Sequence, residues 1–154
     1  MERHERIRAA IENGLDEIAE LAQAIIDERW QQVLQYERSN PGWENRSMLS
    51  LRCYRNGNNI RLEWSGIKWV KKTKGKPMRF HVHINRGSGY SYSLAKLSPF
   101  AKEWEIELIE KTEEELVLLR REAYHLNRML ISLRHAENLA ENLDSKDNLE
   151  SGLA

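Results

Sequence analysis

Two stretches of helical periodicity bracket a block that cannot be helical, and this constrains the chain more than any other feature. Ile7, Ile11, Leu15, Ile18, Ala22 and Ile25 recur every three or four residues, the spacing that lines apolar side chains along one helix face. A helix is predicted over residues 2–38, with Gly14 a weak point inside it. Ser39-Asn40-Pro41-Gly42 ends it, because proline and glycine do not continue a helix cheaply. Ile109, Thr112, Leu116, Leu119, Ala123, Leu126, Leu130 and Leu133 repeat the pattern in a second helix. It is predicted over residues 98–143, with Ser98 as N-cap and Pro99 at the first helical position. Acidic residues crowd its first turns, as the helix dipole favours. The pattern decays after Leu143, and residues 144–154 are expected as a disordered tail.

Between the helices the period changes to two. Leu49, Leu51 and Cys53 alternate with Ser50, Arg52 and Tyr54, then Asn56-Gly57-Asn58 signals a turn. Ile60, Leu62 and Trp64 alternate in turn. At Ser65-Gly66 the apolar phase shifts by one residue to Ile67 and Trp69, which predicts a bulge or tight turn. After the basic loop Lys71–Pro77, Met78, Phe80, Val82 and Ile84 alternate with Arg79, His81 and His83. Tyr90, Tyr92 and Leu94 suggest a further short strand. The expected fold class is α+β: a small antiparallel sheet of three or four strands within residues 47–94, flanked by the two long helices. Residues 1–143 form one α-β-α domain in this reading. The helices are the only material available to cover the sheet's apolar face. The stripe Leu116, Leu119, Leu126, Leu130 and Leu133 is longer than such a sheet can cover. It therefore packs either on the first helix or on a partner, and a homodimer is expected.

Charge separates along the same boundaries. The formal net charge is +0, yet residues 39–98 hold 12 Lys and Arg against 2 Asp and Glu, a net of +10. Residues 1–38 carry a net of −4 and residues 99–154 a net of −6. Block asymmetry of this kind speaks to partners. Charged residues make up 31% of the chain and mean hydropathy is −0.72, too polar for a membrane protein, and no apolar run reaches membrane-spanning length. The start, Met1-Glu2-Arg3-His4-Glu5, lacks the apolar core of a signal peptide. Cys53 is a single cysteine with no internal partner, so a reducing, cytoplasmic location is expected.

With the apolar residues turned to the helices, the other sheet face shows Arg52, Tyr54, Arg61, Lys68, Arg79, His81 and His83. The loops add Arg55, Lys71, Lys72, Lys74, Lys76 and Arg86. Cations interleaved with aromatics suit a phosphate backbone. Lysine supplies point charge, whereas arginine also reads phosphates or base edges bidentately. Gly75, Gly87 and Gly89 let backbone amides approach phosphates closely. The arginines, lysines and histidines of this set are the candidate DNA contacts. The plainer alternative, lysines that protect sheet edges, needs far less charge. Of the five tryptophans, Trp64, Trp69 and Trp104 are expected in the core, and Trp43, in a Pro-Gly-Trp loop, is the candidate exposed stacking residue.

A catalytic alternative rests on His81-Val82-His83, which puts two imidazoles on one strand face as metal ligands, with Tyr92 as nucleophile. Together they resemble the metal-dependent nicking centres of rolling-circle replicases and relaxases. Those centres need a larger sheet with a helix between the motifs, whereas eight residues separate His83 from Tyr92, and no Asp or Glu lies between residues 64 and 102 to complete a metal site. Ser93-Leu94-Ala95-Lys96 fits Ser-x-x-Lys without its companion motifs. A third reading is an adaptor for an acidic protein. No cofactor, metal or catalytic residue is expected.

The ordered set of Trp30, Arg55-Asn56-Gly57-Asn58-Asn59-Ile60-Arg61-Leu62-Glu63-Trp64 and Trp69 continues with Asn85-Arg86-Gly87-Ser88-Gly89-Tyr90-Ser91-Tyr92 and Leu97. It ends with Ala101-Lys102-Glu103-Trp104-Glu105 and Arg120-Arg121. This layout, from residue 30 to about 134, resembles the MobI proteins of integrative conjugative elements and conjugative plasmids. The resemblance implies a DNA-binding accessory factor at the origin of transfer that helps a relaxase start conjugative transfer. His81-Val82-His83 is not part of that pattern.

Overall fold

The computed structural model describes residues 2–71 and 74–153. Helix α1 spans Glu2–Ser39 and is followed by a single 3-10 turn, Trp43–Asn45. Strands β1 (Leu49–Asn56), β2 (Asn59–Val70) and β3 (Met78–His83) form an antiparallel sheet in the order β1-β2-β3. A short helix α2 (Leu94–Leu97) and a 3-10 turn, Glu103–Glu105, lead into α3 (Ile106–Leu153). The fold is α+β, a three-stranded sheet flanked by two long helices. No helix among the described residues is long and apolar enough to cross a membrane.

The buried face of α1 carries Ile11, Leu15, Ile18, Ala22, Ile26, Arg29 and Val33, a run of three- and four-residue steps. Ile7, expected on this face, is exposed. The antiparallel partner is α3. Ile11, Leu15 and Ile18 cluster with Ala123 and Leu130 at one end. Ala22 and Ile26 join Ile109 and Leu116 over Leu49, Leu51, Leu62 and Trp64 at the other. Arg8 pairs with Glu137 at the far end. The stripe, expected on the first helix or on a partner, packs on the chain's own first helix: Leu130 is buried in the first of these clusters with Leu119 and Leu126 against it, and Leu116 is buried in the second. Leu133 is half-buried.

Three boundaries differ from the sequence expectation. Ser98-Pro99 follows α2 and does not start α3; Ser98 closes that short helix through its amide on the Leu94 carbonyl, 2.7 Å. Tyr90–Ser93 is a loop, because Tyr90 and Tyr92 are tied to α3 and not to a neighbouring strand. And α3 continues to Leu153 through the segment expected as a tail. Asp144–Ser151 holds no glycine or proline, so nothing local stops the helix.

The sheet register carries the larger correction. β1 and β2 meet in a two-residue hairpin, Gly57-Asn58, with Gly57 at φ 64° as a type II′ turn requires. From there β2 runs unbroken to Val70, pairing Leu49 with Gly66 on one side and Val82 with Gly66 on the other. No bulge interrupts Ser65-Gly66. Gly66 lies on the helix-facing side, where Phe100 covers it so closely that a Cβ there would stand 2.4 Å from the ring. Gly66→Val is expected to cost about 1–3 kcal/mol by overpacking, measurable by urea unfolding. Phe100→Leu in the same chain should return part of it, and strict additivity of the two would refute the contact.

Candidate nucleic-acid interface

An unbroken β2 fixes which side chains share a face. Directly paired residues lie on the same side of a sheet, so the outward face carries Arg52 opposite Glu63, Tyr54 opposite Arg61, and Ser65 opposite His83. It also carries Ile67 opposite His81, Trp69 opposite Arg79 and Ser50 opposite Ser65. Arg52, Arg61, Arg79, His81 and His83 therefore come together as expected. Lys68 does not: it pairs with Phe80 on the opposite side, exposed beyond the end of the helical cover. Trp69, expected in the core, is 40% exposed beside Arg79. Along β2 the face from Arg61 to Trp69 measures about 26 Å, the rise of roughly eight base pairs.

The cations fall into two groups. At the hairpin end, Arg61, His83 and Arg86 border a polar recess of about 350 Å³ that also includes Glu63, Asn85, Gly87 and Tyr92. Glu63 accepts from the Tyr54 hydroxyl at 3.2 Å and from Arg61 at 3.5 Å, offsetting part of that charge. The Arg52 guanidinium lies 4.7 Å over the Tyr54 ring. Arg55 turns away from the sheet to pair with Asp16 of α1. Arg86 donates to the Gly89 carbonyl at 2.8 Å, which folds the loop back on itself. At the other end Arg79 adjoins the loop cations Lys71, Lys74 and Lys76, all exposed. Lys72 lies outside the described residues.

Sequence reasoning missed two contributors at this second end, Arg46 and Trp30. Arg46 sits 5.6 Å over the Trp43 ring. Trp43, 54% exposed as expected of its loop, meets Trp69 edge-on at 5.5 Å. Trp30, 46% exposed, overlooks a groove of about 240 Å³ between α1 and the strands, with Asp27, Ser50, Ile67 and Arg79. A helical wheel signals Trp30, since the buried positions around it are Ile26, Arg29 and Val33. The loop that carries Trp43 is anchored: the Ser47 amide donates to Glu37 at 2.9 Å, and Trp104 donates its indole N–H to the Asn45 carbonyl at 3.1 Å while stacking on Tyr36.

Beneath the sheet lies a buried ion pair that holds the site's frame. Arg120 clasps Glu113 through two nitrogens, at 2.7 and 2.9 Å. It also donates to the Leu62 and Tyr90 carbonyls. Glu113 in turn accepts from the Trp64 indole at 2.6 Å and the Tyr92 amide at 3.0 Å. Elsewhere in the core, burial pushes the Arg29 guanidinium down to about 10 and raises the Glu105 carboxyl. Arg29 lies 4.6 Å over the Trp64 ring. Burial likewise raises the half-buried Cys53 thiol.

The nicking constellation is not assembled in one place. His81 contacts Ser65 at 3.2 Å on the open face, one rung beyond His83. Tyr92 is 5% exposed at the floor of the recess, and burial, followed by Glu63, raises its phenol. No group of three His, Cys, Asp or Glu able to hold a metal occurs among the described residues. A groove of about 530 Å³ along α3 is bordered by Glu110, Glu113 and Glu114 and so repels phosphate.

Residues 18–134 match the family model described as MobI protein. No curated protein and no solved structure matches the chain.

Proposed function

This chain belongs to the MobI family and is a mobilisation-related protein; on that premise we propose that it is a non-catalytic DNA-binding accessory protein of conjugative transfer, acting at the origin of transfer beside a relaxase. One observation carries the reading. The outward sheet face and the β2–β3 loop gather Arg52, Arg61, Arg79, His81, Lys71, Lys74 and Lys76 against Glu63 on the same face, and no acidic residue occurs from Trp64 to Lys102. Counterion release from a phosphate backbone is the favourable process such a surface supports. The acidic helices behind it disfavour DNA there and leave that side for protein contacts, a relaxase or a second copy of the chain.

A gel shift with origin-of-transfer duplex against unrelated duplex of equal length tests the proposal. Preferential binding to the origin is expected, and absence of binding to either at low salt would sink it. The catalytic alternative has a separate readout. With supercoiled DNA and Mg²⁺ or Mn²⁺, no relaxed circles and no protein-linked DNA are expected. Tyr92→Phe should change DNA affinity by no more than about 1 kcal/mol. A covalent adduct that depends on Tyr92 would replace this reading with a nicking enzyme. An acidic protein that binds the same face, with DNA failing to compete for it, would favour the adaptor.

A further inference from the structure

We propose that the groove between α1 and the strands binds single-stranded DNA, with Trp30, Trp43 and Trp69 as stacking platforms for unpaired bases. The inference rests on the DNA-binding reading above and adds the form of DNA.

Three half-exposed indoles on one surface are the starting observation, at 46, 54 and 40% exposure. They are contiguous: Trp43 touches Trp69, Trp69 pairs across the sheet with Arg79, and Arg79 and Trp30 wall the same groove. Exposed indoles lose contact with water when a flat partner covers them. The partner's charge is set by the surroundings. Arg46 lies over Trp43, Arg79 stands beside Trp69, and Lys71, Lys74 and Lys76 follow directly from β2. Asp27 is the acid on the α1 wall. It disfavours phosphate there and can accept from a base amino group. The backbone is thus directed to the lysine side and the bases toward α1.

Stacking decides between the two forms of DNA. In a duplex each base face is covered by its neighbours, so indole faces find a partner only on unpaired bases. Each stacked base adds affinity with little regard to sequence. The lysines and arginines serve both forms through their charge.

The test is fluorescence anisotropy with labelled dT15, a labelled 15-base-pair duplex and labelled rU15 at one salt concentration. The full chain should bind dT15 more tightly than the duplex. Trp43→Ala and Trp69→Ala should each weaken dT15 binding about ten-fold or more and leave duplex binding within about two-fold. Trp43→Phe, which keeps an aromatic face, should retain most of the affinity. Circular dichroism shows whether each variant is folded; if Trp69→Ala is not, the pair Trp43→Ala and Trp43→Phe decides alone. Equal losses on dT15 and duplex, no loss, or duplex binding without dT15 binding would overturn the inference while leaving the DNA-binding reading intact. Tighter binding of rU15 than dT15 would overturn the choice of DNA. No binding of any probe would remove both.

Discussion

Arg120→Met is expected to destabilise the protein by about 3–5 kcal/mol, because it strips the partner from a buried carboxylate. Arg120 and Glu113 are 5% and 6% exposed, and the guanidinium satisfies the Leu62 and Tyr90 carbonyls as well as Glu113. Methionine fills similar volume but supplies no donor. It would leave a charge and two carbonyls without their partners in a medium where water cannot replace them. For a chain of this size the loss corresponds to a fall in melting temperature of roughly 10 °C or more. Arg120→Lys keeps the charge and loses the fork, so it should fall between the two. Replacing both members, Glu113→Leu with Arg120→Met, often restores stability at buried pairs. Here it should restore only part, because the Trp64 indole and the Tyr92 amide also depend on Glu113. Full recovery in the double variant, or a loss under about 1 kcal/mol in the single one, would refute this account of the network.

That network also shows what the sequence hid. Glu113 and Arg120 lie seven residues apart on a helix crowded with charge, and nothing in their spacing separates them from a solvated face. Only the tertiary fold, which brings Leu62 and the Tyr90–Tyr92 loop onto α3, distinguishes them. The helices were legible because burial of one face imposes a three-four spacing that few other structures share. The sheet was legible up to Trp64 for the corresponding reason. In the remainder of β2 the alternation rule misled. Ile67 and Trp69 are apolar residues on the outward face, so a reading that sends apolar residues inward has to invent a bulge at Ser65-Gly66. That one step put Trp69 in the core and Lys68 on the outward face, and the unbroken register reverses both. An apolar pattern that breaks phase without a chain break thus marked an exposed apolar surface, where the Trp69 indole stands in water on the same face as Arg79.

Raising salt from 50 to 200 mM should weaken DNA binding by about a thousand-fold. The estimate follows from the surface. Of the cations proposed to meet DNA, Arg55 is engaged by Asp16, Arg61 is partly offset by Glu63 and Lys68 faces the other side. Arg52, Arg79, Lys71, Lys74 and Lys76 remain on the outward face or its loop, with His81 and His83 beside them. If roughly six phosphates are neutralised, log K against log[salt] has a slope of about −5 on duplex DNA. Lys74→Ala with Lys76→Ala should reduce the slope by about 2 and weaken all sequences alike, because flexible lysines meet phosphate only. Arg79→Ala acts differently. It stands on a strand, paired across the sheet with Trp69, so it can address a base edge, and its loss should relax sequence preference by about 1–3 kcal/mol as well. A flat salt dependence would contradict phosphate contact as the source of affinity. Sequence-blind losses at Arg79 matching those at the lysines would show that the sheet supplies charge alone and that specificity lies elsewhere.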